Sequence, residues 1–156
     1  MPKTIRMDQS DENIFTTPEE PGVWAVTGTF CFADADFEAL DRTGKIAFSS
    51  AWLGTKTFGW TTFVQVTDIE DEQFDALISR LSGFLMDNFG APDLFAAVEA
   101  AKGEAFYTAE LCDHPVGTLL AIEREITDQG ITERVKAIPP KKDDLHSRIF
   151  DVVPDH

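Results

Sequence analysis

No stretch of this chain approaches the roughly 18 consecutive apolar residues that a membrane-spanning helix requires, so no membrane insertion is expected. Basic side chains are scarce: 13 Lys and Arg stand against 28 Asp and Glu, for a formal net charge of −15. Phosphate-backbone binding draws its affinity from clustered Lys and Arg that release counterions. With no such cluster, nucleic acid and anionic membrane surfaces are not expected partners. Only two cysteines occur, Cys31 and Cys112, in no paired motif. Free thiols behaving as small apolar residues are the expectation, and no disulfide is. The glycines stand singly, so no phosphate-cradling loop exists and no cofactor is implied. No Ser sits in a nucleophile elbow, and the three His all follow residue 113. Residues 1–13, MPKTIRMDQSDEN, lack the apolar core of a secretion signal, which leads to the expectation of a cytoplasmic protein with reduced thiols.

What is present is ordinary globular material. A chain of 156 residues, 43% of them hydrophobic, buries about two-thirds of its unfolded surface and needs no metal or disulfide to hold a core. Thirteen Phe and three Trp against one Tyr point to a ring-filled interior. The most regular stretch is residues 58–68, FGWTTFVQVTD. Trp60, Thr62, Val64 and Val66 fall on one side of an extended chain, with Thr61, Phe63, Gln65 and Thr67 on the other. That period of two in β-branched and aromatic residues predicts a central strand.

Around it, residues 3–8 read as a short strand with Ile5 and Met7 inward and Arg6 outward. Residues 9–22 read as a loop anchored by Ile14 and Phe15 and ended by a Pro21-Gly22 turn. Residues 23–33 read as a strand with Trp24, Val26, Phe30 and Phe32 on one face, and Gly28 leaves a gap there for another ring. Residues 34–54 show mostly helical spacing, with Asp34 or Asp36 as cap, Gly44 as a weak middle and Gly54 as the stop. The clearest helix spans 69–89, with Phe74, Leu77, Ile78, Leu81 and Leu85 as its stripe and Thr67 or Asp68 as its cap. Trp60, Val64 and Val66 are expected to pack on that stripe. Pro92 opens a second helix running to about Cys112 and burying Leu94, Phe95, Val98, Ala101, Ala105, Ala109 and Cys112. Its many Ala residues predict close packing against a neighbour.

The chain closes with a hairpin. Leu120, Ile122 and Ile126 share one face of residues 118–127, Asp128-Gln129-Gly130 make the connection, and Ile131, Val135 and Ala137 return. Pro139-Pro140 ends it. The reading is an α+β fold, one domain over residues 1–140 with a charged tail at 141–156. It has one mainly antiparallel sheet of about five strands and three helices on one face, in the order β-β-α-β-α-α-β-β.

Candidate chemistry is thin. Cys112-Asp113-His114-Pro115 is the only cluster able to suggest a reactive thiol or metal ligation. A thiol at a helix C-terminus is not activated, however, and adjacent side chains rarely face each other. The cluster reads as a helix end followed by a turn. Asp93, Glu99, Glu104 and Glu110 read as solvated helix faces, with nothing to bury them and split their pKa values. Gln65 is the polar side chain inside the central strand, and Arg124 is the charge on the apolar face of its strand. Gln65 reads as one end of a hydrogen-bond pair and Arg124 as snorkelling at a sheet edge. Both also serve a pocket reading, in which Trp24, Trp60, Gln65 and Arg124 line a small-ligand site between sheet and helices. No catalytic residue and no metal site emerges. Three functions follow in order: a non-enzymatic accessory protein that binds another protein or itself, a small-ligand-binding domain, and a thiol enzyme using Cys112 and His114. Residues 58–112 hold ten acidic and two basic side chains, so a homodimer would avoid that surface and use the hairpin or Ile149–Val153.

Several segments taken together resemble a known family: EPGVWAVTGTFCF, AFSSAWLGTKTFGWTTFVQV, NFGAPDL and LCDHPVGTLLAIER. They are similar to short, mostly proteobacterial proteins known only as a domain of unknown function, over roughly residues 3–138. The resemblance supplies no catalytic residues. It implies an accessory role, because genes of that family lie near those for formate dehydrogenase maturation and for a protein related to biotin and lipoate ligases.

Overall fold

The structure, a computed structural model, describes residues 1–5, 15 and 18–139. In chain order the elements are β1 (Pro2–Ile5), β2 (Ala25–Val26), a 3-10 turn (Thr29–Phe32), α1 (Arg42–Ser50), β3 (Trp52–Gly54), β4 (Trp60–Thr61), β5 (Phe63–Val66), α2 (Asp71–Asn88), α3 (Leu94–Leu111), β6 (Leu119–Thr127) and β7 (Gly130–Ile138). The α+β class holds, but the single five-stranded sheet does not. Among the described residues there are two antiparallel sheets, β1-β5-β6-β7 and β2-β3-β4.

The segment 58–68 explains the difference. β5 is central as its alternation predicts, lying between β1 and β6 with Val64 and Val66 buried. Trp60 and Thr61 instead pair with Leu53 and Trp52 at the edge of the small sheet. One alternating stretch therefore serves both sheets, changing partners at Thr62. Trp60 leaves the Val64–Val66 layer to stack on Phe32, ring centroids 5.3 Å apart.

The small sheet is a middle layer, buried on both faces. Val26 and Leu53 meet Leu77, Ile78, Leu81 and Leu85 of α2 and Ala97, Ala101 and Ala105 of α3. Ala25 and Trp52 meet Val64, Val66, Leu120 and Ile122 of the large sheet. The α2 stripe thus packs on β2 and β3, not on Val64 and Val66. A third cluster joins Phe15 and Phe32 to Ala47, Phe48 and Ala51 around α1, which lies against β6. Burial on two sides is what makes Trp52-Leu53-Gly54 extended, against the helical spacing read over 34–54: tertiary burial overrides local pattern.

Several local expectations are corrected. Residues 23–33 form two strand residues and then a 3-10 turn, because Gly28 takes φ +80°. A Cβ there would fall 2.6 Å from Leu53 Cβ and 3.0 Å from Trp60 Cζ3, so a ring does fill the gap that glycine leaves. Helix α1 begins only at Arg42. Asp41 caps it, accepting from Gly44 N at 2.7 Å, which puts Gly44 in the first turn. Glu70 and Gln73 cap α2 as a capping box, in place of Thr67 or Asp68. Asp93 caps α3. Leu94 and Phe95 are 62% and 75% exposed. The stripe meeting α2 is Ala97, Ala101, Ala105 and Thr108, whose small side chains allow the close approach that the Ala content predicts. In β1 Pro2 and Thr4 point inward and Ile5 is half-buried. Thr127 pairs with Gly130, so the hairpin connection is two residues, and Ile126 at its far end is exposed. Phe15 is a buried anchor. Arg6, Met7, Ile14 and residues 140–156 lie outside the described residues.

Candidate functional site

Alternation along β6 turns Leu120, Ile122 and Arg124 to the interior. Arg124 does not snorkel to solvent: β5 pairs with β6 only as far as Ala121, but α1 lies against β6 and the arginine side chain is 0% exposed. A buried guanidinium must have its donors met and its charge paired. Nη1 donates to the carbonyls of Ala47 at 3.2 Å and Phe48 at 2.9 Å in the last turn of α1, where the Ala47 carbonyl also accepts from Ala51 N and end carbonyls such as that of Phe48 lack intrahelical donors. Nη2 donates to the Thr27 carbonyl, and Nε to Thr29 Oγ1 at 2.8 Å and Glu133 Oε1 at 3.2 Å. The group also lies 5.6 Å from the centre of the Phe32 ring. Glu133, directly across the ladder on β7, is 6% exposed and accepts further from Thr29 Oγ1 and the Tyr107 hydroxyl. One arginine thereby ties α1, β6, β7 and the 27–32 segment together.

Above this network lies a cavity of about 340 Å³ between the 27–33 segment, α3 and β7. Thr27, Thr29, Phe30, Ala33, Glu104, Tyr107, Ile131 and Glu133 line it. Glu104 and Tyr107, three apart on α3, face it together. Glu104 is half-buried and has no hydrogen-bond or ion-pair partner among the described residues. Burial, and then the charge of Glu133, hold its carboxyl above the usual range. Burial and the hydrogen bond to Glu133 raise the Tyr107 hydroxyl likewise. Thr27 is 0% exposed, and its hydroxyl has no partner among the described residues, although its N–H donates to Thr108 Oγ1 at 3.2 Å. Cys31 is close enough to feel both Arg124 and Glu104, but burial pushes its thiol up to about 12, so thiolate chemistry is closed to it near neutral pH.

Of the four residues read as pocket-lining, Arg124 forms the floor of this network without being exposed to the cavity. Trp60 touches it only through Phe32. Trp24 lines a separate hollow of about 220 Å³ with Thr55, Gln73 and Arg80, beneath the Lys3 ammonium. Gln65 reaches only the Gly117 carbonyl, at 3.4 Å. The four do not converge. The carboxylates that do, Glu104 and Glu133, gave no sequence signal beyond their charge. Glu104 read as solvated because the groups that share its hollow, in the 27–33 segment and on β7, are distant in sequence. Cys112 closes α3 as a buried residue, its thiol pushed up to about 12 by burial, while His114 is exposed and its N–H caps a turn onto the Cys112 carbonyl at 2.8 Å. Among the described residues no group of three or more His, Cys, Asp or Glu could hold a metal ion, and no helix is long and apolar enough to cross a membrane.

A second buried carboxylate is purely architectural. Glu19, 1% exposed, accepts from the N–H groups of Lys56, Thr57 and Phe58 at 3.0–3.2 Å and from Thr57 Oγ1 at 2.6 Å. It holds the 55–59 loop, in which Phe58 takes φ +59°. Gly54 is required beneath it, because a Cβ there would lie 2.0 Å from Glu19 Cγ.

Fold and cleft together define a two-sheet α+β domain that carries a buried ion-pair network under an acidic hollow. The chain belongs to the family of unknown function DUF6505, which matches residues 1–155 and so includes the tail that the resemblance above left out. No curated protein and no solved structure matches it.

Proposed function

We propose that this protein is a non-enzymatic small-ligand-binding domain whose ligand sits in the cleft between α3, β7 and the 27–33 segment. One observation carries the reading: polar groups from three separate elements converge on a hollow where a buried hydroxyl, Thr27, and a half-buried carboxylate, Glu104, have no partners among the described residues. Buried polar groups are normally satisfied, and unsatisfied ones around a concave site mark a place for a ligand. Both nearby thiol and arginine are locked in structural roles, which favours binding over catalysis. The test is a screen of chemically mixed small fragments followed by amide chemical-shift mapping. Hits should perturb residues 27–33, 104–108 and 131–133; hits confined to other surfaces would overturn the assignment.

A second reading, an accessory protein that docks on another protein, draws on Met86, Phe89, Leu94 and Phe95, all exposed around the α2–α3 turn. Their apolar surface interrupts the most acidic part of the chain and suits a partner with an apolar centre and basic rim. A cytoplasmic role beside metalloenzyme maturation belongs with this reading. Cross-linking from Phe95 in native extract tests it: a single recovered partner supports it, and none would leave the cleft as the working part.

A further inference from the structure

The cleft has a hydrogen-bonding polarity that narrows its ligand. Arg124, the only cation of the network among the described residues, has four of its five N–H donors engaged and no exposed side-chain surface. Tyr107 spends its hydroxyl proton on Glu133, and Thr29 spends its own there too. What remains at the cleft is acceptors: the whole Glu104 carboxylate and lone pairs of Glu133 and Tyr107, with the Thr27 hydroxyl, able to donate or accept, buried beside them. Two carboxylates against one spent guanidinium leave a net negative site, and Phe30, Ala33 and Ile131 supply apolar wall. Resting on the cleft as the binding site, we infer that its ligand is a small organic cation, a protonated amine on a short apolar body, held by Glu104. An ammonium is donor-only and carries three N–H groups, which matches a site made of acceptors. Phe30 and Tyr107 also line the hollow, and aromatic rings attract cations. A hollow of about 340 Å³ is at the lower end for ligand pockets, which limits the body to a few carbons or one ring.

An anion meets two carboxylates here, and the unengaged donors, the fifth Arg124 N–H and the Thr27 hydroxyl, are both buried. A neutral alcohol leaves Glu104 charged and unpaired. The titratable groups facing Glu104 are Glu133 from β7, Tyr107 from its own helix, and Arg124 and Cys31 beyond them. Protonation of Glu104 removes the receptor, so amine affinity should fall as pH drops through its raised pKa.

Benzylamine, benzyl alcohol and benzoate, similar in shape and differing in charge, are titrated by calorimetry in about 150 mM salt, which screens general attraction to an acidic surface. Shift mapping locates each. Benzylamine should bind in the cleft at least tenfold more tightly than the other two, and Glu104→Gln, with an unchanged circular dichroism spectrum, should weaken it at least tenfold. If benzyl alcohol or benzoate occupies the cleft as well as the amine does, or Glu104→Gln changes nothing, the cation assignment falls while the pocket stands. If no probe of any charge perturbs the cleft, both fall. Benzylamine mapping only to Asp71 and Asp75 on α2 also overturns the inference.

Discussion

Arg124→Met removes the one positive charge beneath Glu133 while keeping an unbranched side chain of similar reach. Glu133 then remains 6% exposed with its charge uncompensated, and the carbonyls of Thr27 and Phe48 lose the guanidinium donor while that of Ala47 keeps only Ala51 N. Breaking one half of a buried pair typically destabilises by about 3–5 kcal/mol, against a total stability on the order of 5–15 kcal/mol for a domain of this size. Glu133→Gln should do less, about 1–3 kcal/mol, because the guanidinium keeps Thr29 and three backbone carbonyls. In the double variant the leftover charge is gone, so the loss should be smaller than the sum of the two single losses by about 1 kcal/mol or more. Urea titration followed by circular dichroism near pH 7 gives all three values. A loss below about 1 kcal/mol for Arg124→Met, or strict additivity, would show that the network contributes little.

Gly54→Ala should lose about 2–4 kcal/mol, because its Cβ forces the Glu19 carboxylate out of the 56–58 amides; a near-neutral melt would mean that the loop yields. Leu77→Ala should lose about 2–5 kcal/mol through burial and cavity terms, and a loss below about 1 kcal/mol would contradict the packing of α2 on β2 and β3. Cys31 and Cys112, free and with thiols near 12, should react with a disulfide reagent at pH 8 far more slowly than in the unfolded chain; equal rates would refute their burial. Glu104→Gln should stabilise the ligand-free protein at neutral pH. The carboxyl pKa is raised on folding, so the native state binds more protons than the unfolded one between the two pKa values, and stability falls as pH rises through that window. The gain of the Gln variant should therefore vanish in acid, and a gain persisting there would point to packing instead.

Legibility in the sequence followed the range of the interactions. The α2 stripe, the Ala face of α3, the β6–β7 hairpin and the ring over Gly28 were all written in local periodicity, and each is present. The split of residues 58–68 between two sheets was not, because alternation specifies faces and says nothing of partners. Trp52–Leu53 became a strand through burial on both sides, which composition alone does not announce. The cleft was least visible. Its lining comes from positions 27–33, 104–107 and 131–133, and the raised pKa of Glu104 comes from burial and from the charge of Glu133 on β7, which only the folded chain brings near. Arg124 stood out as a charge on an apolar face; its role was hidden because its partners are mostly backbone carbonyls, which any sequence supplies.

The most direct measurement follows the Glu104 side-chain carboxyl carbon by NMR through a pH titration, with and without saturating benzylamine. The account predicts a midpoint above that of an ordinary glutamate in the free protein, moving down when the cation pairs with the carboxylate. An ordinary midpoint that benzylamine does not move would contradict it.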